Sequence, residues 1–336
     1  MGLKSALSKP YAKWVTARVM RTARDPVAAQ RSVLQQLIAG GSRTAFGKEH
    51  RLDQVRDHAS LTQAVPLRDY ESFRPYIDRV VAGERDVLWP GRPLYLCKTS
   101  GTTSGAKYIP ITQHSLPSHI TSARNALLAY IAYSGKSDLV DGKMIFLQGS
   151  PVLDTKGAIP TGRLSGIVAN HVPGYLLKNR LPSYATNTIP DWETKVDAIV
   201  EETMYADMRL ISGIPAWTQM YFERLLARTG KRNVREVFPN FSLFVHGGVN
   251  YAPYRDRMDA LIGVYPGASS GVDSIELFPA SEGFIAYQDQ SAEEGLLLNV
   301  NAGIYFEFIP TSGAGARARL SIAEVEIGRA SCRERV

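Results

Sequence analysis

The densest run of chemically useful residues is Lys98-Thr99-Ser100-Gly101-Thr102-Thr103-Ser104-Gly105-Ala106-Lys107. Gly101 and Gly105 let a backbone fold tightly and turn its N–H groups outward. The hydroxyls of Thr99, Ser100, Thr102, Thr103 and Ser104 add donors, and Lys107 sets a point charge beside them. Such a concavity suits the oxygens of a polyphosphate. It is not a Walker loop, because Gly101 and Gly105 are too close in sequence and Ala106 intervenes before Lys107. A polar surface loop is the plainer alternative. An unbroken run of small residues from Thr99 to Gly105, between an apolar stretch and a basic residue, argues against it.

Other chemistries find less support. No Ser/His/Asp or Cys/His set suggests a covalent nucleophile. The six histidines, at positions 50, 58, 114, 119, 171 and 246, lack zinc-like spacing. Cys97 and Cys332 are the only cysteines, so no disulfide framework is implied and a reducing, cytoplasmic setting is expected. Cys97 itself reads as a small core residue on a strand. The net charge of +7 is concentrated in residues 1–50, where nine Lys/Arg face only Asp25 and Glu49. A basic first helix is commonly a solvated face or an anion-facing edge. Without interleaved aromatics along the chain it does not make a nucleic-acid footprint. No apolar stretch is long enough to span a bilayer, so neither nucleic acid nor membrane is expected as a partner.

The elements that would position the loop alternate in type. Residues 4–24 form an amphipathic helix. Asp25-Pro26 signals the start of a second, with Val33, Leu34, Leu37 and Ile38 as its apolar stripe and Gly40-Gly41 as its stop. Val87-Leu88-Trp89 and residues 94–97 read as short strands around the turn pair Pro90-Gly91. A helix over 115–133, a strand over 144–147 and a helix over 192–208 follow. After them come a strand at Leu210-Ile211, a helix over 216–228, a strand over 243–245, a helix over 254–262 and a strand over 274–278. This order indicates an α/β fold, helices packed on a largely parallel sheet. From residue 284 the texture changes. Segments 284–287, 295–300 and 303–309 read as strands of an antiparallel unit.

Thr99-Ser100-Gly101-Thr102-Thr103-Ser104-Gly105, with Lys107 two residues on, resembles the first core motif of adenylate-forming enzymes. The following Tyr108-Ile109-Pro110-Ile111-Thr112 is similar to the auxin-responsive (GH3) acyl-acid amido synthetase branch. So are Val65-Pro66-Leu67-Arg68-Asp69-Tyr70-Glu71, Gly83-Glu84 and Leu88-Trp89-Pro90-Gly91. The resemblance covers roughly residues 30–325. It implies that Glu276-Leu277-Phe278-Pro279-Ala280-Ser281-Glu282-Gly283 is the second core motif. Phe278 would lie against adenine, Ser281 would touch the α-phosphate and Glu282 would ligate Mg²⁺. The chain departs from the usual pattern at Pro279, where Gly is common, and at Phe278, where Tyr is. The pair Gly247-Gly248, after His246, would wall the adenine and acyl pockets. His246 is assigned no chemistry. The run Pro160-Thr161-Gly162-Arg163-Leu164-Ser165-Gly166-Ile167 resembles a segment near the acyl-acid site, and Arg163 is a weak candidate for the substrate carboxylate.

The activity so implied is ATP-dependent conversion of a carboxylic acid to an acyl-adenylate, then amide formation with an amino acid. Lys107 and Glu282 are the catalytic residues and ATP and Mg²⁺ the cofactors. No oligomeric state is assigned. The alternatives are a carboxylate–CoA ligase of the same superfamily and a nucleotide-binding remnant without turnover. The expected organisation is an incomplete large adenylation domain over 1–325 that includes the antiparallel unit. Residues 326–336 resemble translated sequencing adapter and are expected to be non-native. A C-terminal lid domain and the ribose-binding Asp would lie beyond, so this form is expected to be inactive.

Overall fold

The computed structural model describes residues 2–99, 105–172, 174–263, 271–290, 295–310 and 318–325. Residues 100–104 and 326–336 therefore lie outside the described residues.

Among the described residues there are thirteen strands. They are β1 (Tyr95–Thr99), β2 (Lys107–Ile111), β3 (Lys143–Phe146), β4 (Asp154–Lys156), β5 (Ile159–Gly162), β6 (Arg180–Leu181) and β7 (Met208–Ser212). β8 (Leu243–Gly247), β9 (Asp273–Pro279), β10 (Phe284–Tyr287), β11 (Leu297–Leu298), β12 (Glu307–Phe308) and β13 (Leu320–Ser321) follow. A seven-stranded sheet has the order β11-β10-β9-β8-β7-β3-β6, and a four-stranded sheet the order β2-β1-β5-β4. In the large sheet β6, β3, β7, β8 and β9 run parallel, with β10 and β11 antiparallel at one side. The α/β expectation holds.

Alternation along the parallel strands feeds two cores. Ile145, Ile211 and Phe244 point to one face, where they meet Val196 and Ile199, Tyr221 and Phe222, and Met258 from three helices: Trp192–Thr203, Pro215–Thr229 and Arg255–Ile262. Leu210, Leu243, Val245 and Ile275 point to the other face. There they meet Ala12 and Val15 of helix Leu3–Ala23 and Leu128 and Ile131 of helix Leu116–Ser134. A sheet covered on both faces needs apolar residues at successive positions, which is why these strands read as short continuous apolar runs. Helix Leu116–Ser134 also reaches the small sheet, since Leu116 packs with Cys97, Ile111 and Ile167. On the opposite face of that sheet, Leu96 and Ile159 pack against Tyr76 and Val80 of helix Tyr70–Val81.

Several boundaries differ from expectation for identifiable reasons. Asp25 caps the second helix as expected, accepting from the Ala28 N–H at 3.0 Å. Gly40 lies inside that helix and its bareness serves packing: a methyl group there would stand 2.4 Å from the Trp89 ring. Val87-Leu88-Trp89 is not a strand. The carbonyls of Asp86 and Val87 instead accept the N–H groups of Ala45 and Phe46 at the start of helix Ala45–Glu49. The helix over 192–208 ends at Thr203, and Met208, fully buried, opens β7. Finally, the antiparallel pairing expected from residue 284 onward is present and begins on β9 itself. A turn at residues 280–283 folds β10 and β11 back onto β9, so they extend the large sheet. Only β12 and β13 pair apart from it. Their attachment is polar: Arg319 donates to Glu307 and to the Val65 carbonyl, and Glu307 also pairs with His58 at 3.0 Å.

Candidate active site

The Gly/Ser/Thr loop joins two strands of the small sheet. β1 and β2 are antiparallel, and Thr99 sits opposite Lys107, so residues 100–106 connect the ends of a hairpin. The sequence placed the next helix over 115–133 and assigned no strand between it and the loop. β2 intervenes, and the helix starts at Leu116. Ser100, Gly101, Thr102, Thr103 and Ser104 lie outside the described residues. Gly105 has φ +94°, and no atom stands within 4 Å of where its Cβ would be. Left-handed backbone in open space is what a tight, ligand-facing turn requires of its glycine.

Lys107 is held from one side. Its Nζ stands 5.5 Å from the centre of the Tyr70 ring, and the Tyr108 N–H donates to Tyr70 Oη at 2.8 Å. Among the described residues no carboxylate forms an ion pair with Lys107. One charge it acts on is Asp69, the cap of helix Tyr70–Val81, whose pKa is lowered chiefly by hydrogen bonds with Ser72 and slightly by Lys107. Tyr70 was noted in the sequence only as part of a family-like stretch. Its seat beneath Lys107 depends on helix Tyr70–Val81 packing on the small sheet, which no local pattern reveals.

The turn after β9 meets this hairpin at one atom pair. Cys97, 1% exposed, donates from Sγ to Ser281 Oγ at 3.1 Å, across 184 residues of sequence. Burial pushes the Cys97 thiol up, and the nearby negative Glu282 adds to the rise, outweighing hydrogen bonds with Ser281 and the Leu164 backbone. The thiol therefore stays protonated and acts as a donor. Glu282 itself is exposed, next to the half-buried Ser281. The turn is closed by reciprocal backbone bonds between Ala280 and Gly283, at 2.9 and 3.2 Å. Pro279 is tolerated because it is exposed and ends β9 opposite Phe284. Phe278, one step earlier, is half-buried and pairs with Ala286.

The same cysteine touches a third motif. Cys97 pairs with Gly162 across β1 and β5, and its thiol also meets the backbone of Leu164, two residues on. Gly166 lies so close to the next segment that a methyl group would stand 2.3 Å from the Ser150 carbonyl oxygen. Arg163 is exposed beside Gly149. The sequence treated Cys97 as packing. The structure makes it the point where β1, the Pro160–Ile167 run and the Ser281–Glu282 turn converge.

The paired glycines after β8 have separate reasons. A methyl on Gly247 would come within 2.1 Å of the Leu277 carbonyl oxygen, so Gly247 permits close approach of β8 to β9. Gly248 has φ +83° and turns the chain. His246 is buried, 4.2 Å from the Tyr251 ring and 5.2 Å from Phe244, centroid to centroid. Burial, and secondarily the Arg255 charge, pushes its pKa down to about 4, and Nδ1 has no hydrogen-bond partner. A neutral, stacked imidazole agrees with assigning it no chemistry.

No cluster of three or more His, Cys, Asp or Glu among the described residues encloses a metal. The donor set instead suits a cation held by one exposed carboxylate, Glu282, and completed by oxygens of a bound substrate, a common arrangement for Mg²⁺. An open depression of about 450 Å³ lies elsewhere, lined by Lys98, Tyr108, Asp154, Thr155, Lys156 and Thr161. Lys98 alternates with Cys97 along β1, so this depression faces away from the Ser281 contact.

Comparison with known proteins adds the lineage. Residues 16–187 match the GH3 family N-terminal domain. The chain is similar to the jasmonoyl–L-amino acid synthetase JAR4 of Nicotiana attenuata, 24% identical over 142 residues, which are 41% of this chain and 24% of that protein. It is 33% identical over 118 residues to the indole-3-acetic acid-amido synthetase GH3.15 of Arabidopsis thaliana, covering 34% of this chain and 19% of that one. The match spans about a quarter or less of these relatives' lengths. Among solved structures, GH3.15 acyl acid amido synthetase superposes with a TM-score of 0.73 at 15% identity, over 93% of this chain and 64% of its own. A 2-hydroxyisobutyryl-CoA ligase gives 0.52 at 15% identity, over 84% and 55%. These structural likenesses bear on the fold.

Proposed function

Because the chain belongs to the GH3 family, we propose that its site activates a carboxylic acid with ATP and passes the acyl group to the amine of an amino acid. The observation that carries this reading is the Cys97–Ser281 contact. It joins the strand leading into the Gly/Ser/Thr loop to the turn bearing Glu282.

In the first step a carboxylate oxygen bonds to the α-phosphorus of ATP while the bond to the bridging oxygen of the leaving diphosphate breaks. In the second, the amine nitrogen attacks the acyl carbon, AMP leaves and the amine loses a proton. Neither step needs a protein nucleophile. The chain's own residues position and neutralise. Lys107, seated over Tyr70, supplies a positive charge that forms no ion pair with a carboxylate among the described residues. Ser281, oriented by the Cys97 thiol, presents its hydroxyl to the α-phosphate. Phe278 offers an apolar surface for the base, and the loop N–H groups of residues 99–105 take phosphate oxygens. Mg²⁺, when bound, supplies charge neutralisation across the phosphates, with Glu282 as its protein ligand.

The relatives are named as a jasmonoyl–L-amino acid synthetase and an indole-3-acetic acid-amido synthetase, and the substrate proposed here is correspondingly a small organic acid with an amino acid acceptor. A cytoplasmic setting belongs to the same proposal, supported by a sequence with two cysteines and no disulfide framework. No helix among the described residues is long and apolar enough to cross a membrane.

Acid-dependent exchange of labelled diphosphate into ATP by the full-length enzyme tests the first step. Exchange that vanishes in Lys107→Ala and Glu282→Ala is the expected result. Exchange that survives both substitutions would refute the site assignment. AMP release stimulated by amino acids rather than coenzyme A distinguishes amide synthesis from thioester formation, and ATP binding without exchange would identify a nucleotide-binding protein.

A further inference from the structure

Helix Leu3–Ala23 packs with its small residues inward and its large ones outward. Ser5, Ala12, Val15 and Thr16 are the buried positions, and Ala12 and Val15 belong to the core over the large sheet. Leu7, Tyr11 and Trp14 are 63%, 45% and 56% exposed. Spaced at i, i+4 and i+7, they form one stripe on the solvent side. Core packing does not explain them. Single exposed apolar residues are ordinary, but three large ones in line on one helix are not scatter.

The stripe is ordered and framed by positive charge. The Tyr11 and Trp14 rings stack with centroids 6.1 Å apart, and the Arg18 guanidinium lies 5.2 Å from the centre of the Trp14 ring. Lys4, Lys13, Arg18 and Arg21 are exposed along the same helix, and residues 1–24 contain no Asp or Glu. The helix is also fixed to the body. Asp141 accepts the Gly2 N–H at 2.8 Å and the Ser5 N–H at 3.3 Å, and Ser5 Oγ lies 2.5 Å from Ser137 Oγ. It is thus a rigid rail with an aromatic–aliphatic crest and basic flanks.

We propose that this face of helix Leu3–Ala23 seats the protein on an anionic lipid surface. Leu7, Tyr11 and Trp14 would enter the headgroup–acyl boundary, while Lys4, Lys13, Arg18 and Arg21 meet lipid phosphates. Two features favour lipid over a protein groove. Trp and Tyr prefer interfacial depth, where an apolar ring and a polar edge are both satisfied, and long basic side chains reach up to the headgroups around them. The charge is also complementary: five basic residues and no acidic ones on the helix meet a negative leaflet. The absence of a membrane-spanning stretch, which shaped the expectation of no membrane partner, does not bear on a helix lying in the interface plane.

Co-sedimentation of the full chain with vesicles tests this. The vesicles would be about three parts phosphatidylcholine to one part phosphatidylglycerol, against pure phosphatidylcholine, where anionic lipid is expected to dominate the affinity. Binding to the anionic vesicles alone is expected, falling about tenfold in Leu7→Ala/Tyr11→Ala/Trp14→Ala and again in Lys4→Glu/Arg18→Glu, and weakening as salt is raised. All five side chains are exposed, so circular dichroism should be unchanged. Should the triple variant misfold, the charge-reversed variant and the salt series still decide. Absent binding, equal binding to both vesicles, or binding indifferent to the substitutions overturns the proposal. A dimer that the triple variant abolishes, with no vesicle binding, overturns it in favour of a second copy of this chain on the same face.

Discussion

The large sheet and the junction of the hairpin with the Glu282 turn are held by different forces. Strands β3, β7 and β8 carry apolar residues on both faces, each strand repeating its contacts with helices above and below. Removing one partner there leaves the others in place. The junction depends on single contacts: one thiol–hydroxyl bond, one tyrosine beneath one lysine, and glycines that fit only because they are bare. Redundancy makes the sheet a scaffold. The lack of it leaves the junction less tied down, with Lys107 half-buried and Glu282 exposed. Substitutions in the first region should therefore cost stability, and those in the second should cost chemistry.

The largest expected effect lies in the sheet. Phe222 is fully buried among the helices on one face, and Phe222→Ala should cost about 3–5 kcal/mol of stability by chemical denaturation. A loss under about 1 kcal/mol would mean that the core is not packed as described. At the junction, Lys107→Ala should lower acid-dependent exchange by about a hundredfold or more, a typical cost for one charge-stabilising donor, with the denaturation midpoint unchanged. A matching fall in stability would erase the distinction between the regions.

His246 sharpens the comparison from the sheet side. Its folded pKa lies near 4, below the ordinary 6.5, because the neutral ring is buried between aromatics. The unfolded chain binds the proton more readily, so stability is fully present above pH 6.5 and is lost as pH falls from there toward 4. The slope is at most about 1.4 kcal/mol per pH unit, and His246→Phe should flatten that part of the curve. The smallest effect is expected at Cys97. Cys97→Ser keeps a donor toward Ser281 and should retain most activity. Cys97→Ala removes it, and should lower turnover about fivefold to tenfold with a stability loss near 1 kcal/mol. Equal behaviour of the two variants would show that the hydrogen bond positions nothing.

The sheet was largely legible from sequence because repeated apolar burial leaves a periodic trace. The cores of β7, β8 and β9 and the helices after them lie where the pattern placed them, with ends shifted by a few residues. Val87-Leu88-Trp89 misled because its apolar run satisfies a helix start through the carbonyls of Asp86 and Val87, and hydrogen-bond partners leave no mark on composition. β10 was read as antiparallel, as it is, but a strand's own pattern does not say which sheet it joins. At the site, residue types and spacing singled out Lys107, and the resemblance to adenylate-forming enzymes singled out Glu282. Tyr70 and Cys97 were not assigned to it, since their roles arise from tertiary contacts made 38 and 184 residues away. The glycines were flagged together, yet Gly247 answers to the Leu277 carbonyl and Gly248 to a left-handed turn.

The hairpin lysine and the turn carboxylate are proposed to serve one nucleotide. Calorimetric titration of ATP with Mg²⁺ into the wild-type chain, Lys107→Ala and Glu282→Gln measures this without requiring turnover. Both substitutions are expected to weaken binding about tenfold or more, each removing one charged contact to the same phosphates or their metal. Binding left unchanged by either one would place that residue outside the nucleotide site and separate the two regions that the Cys97–Ser281 contact brings together.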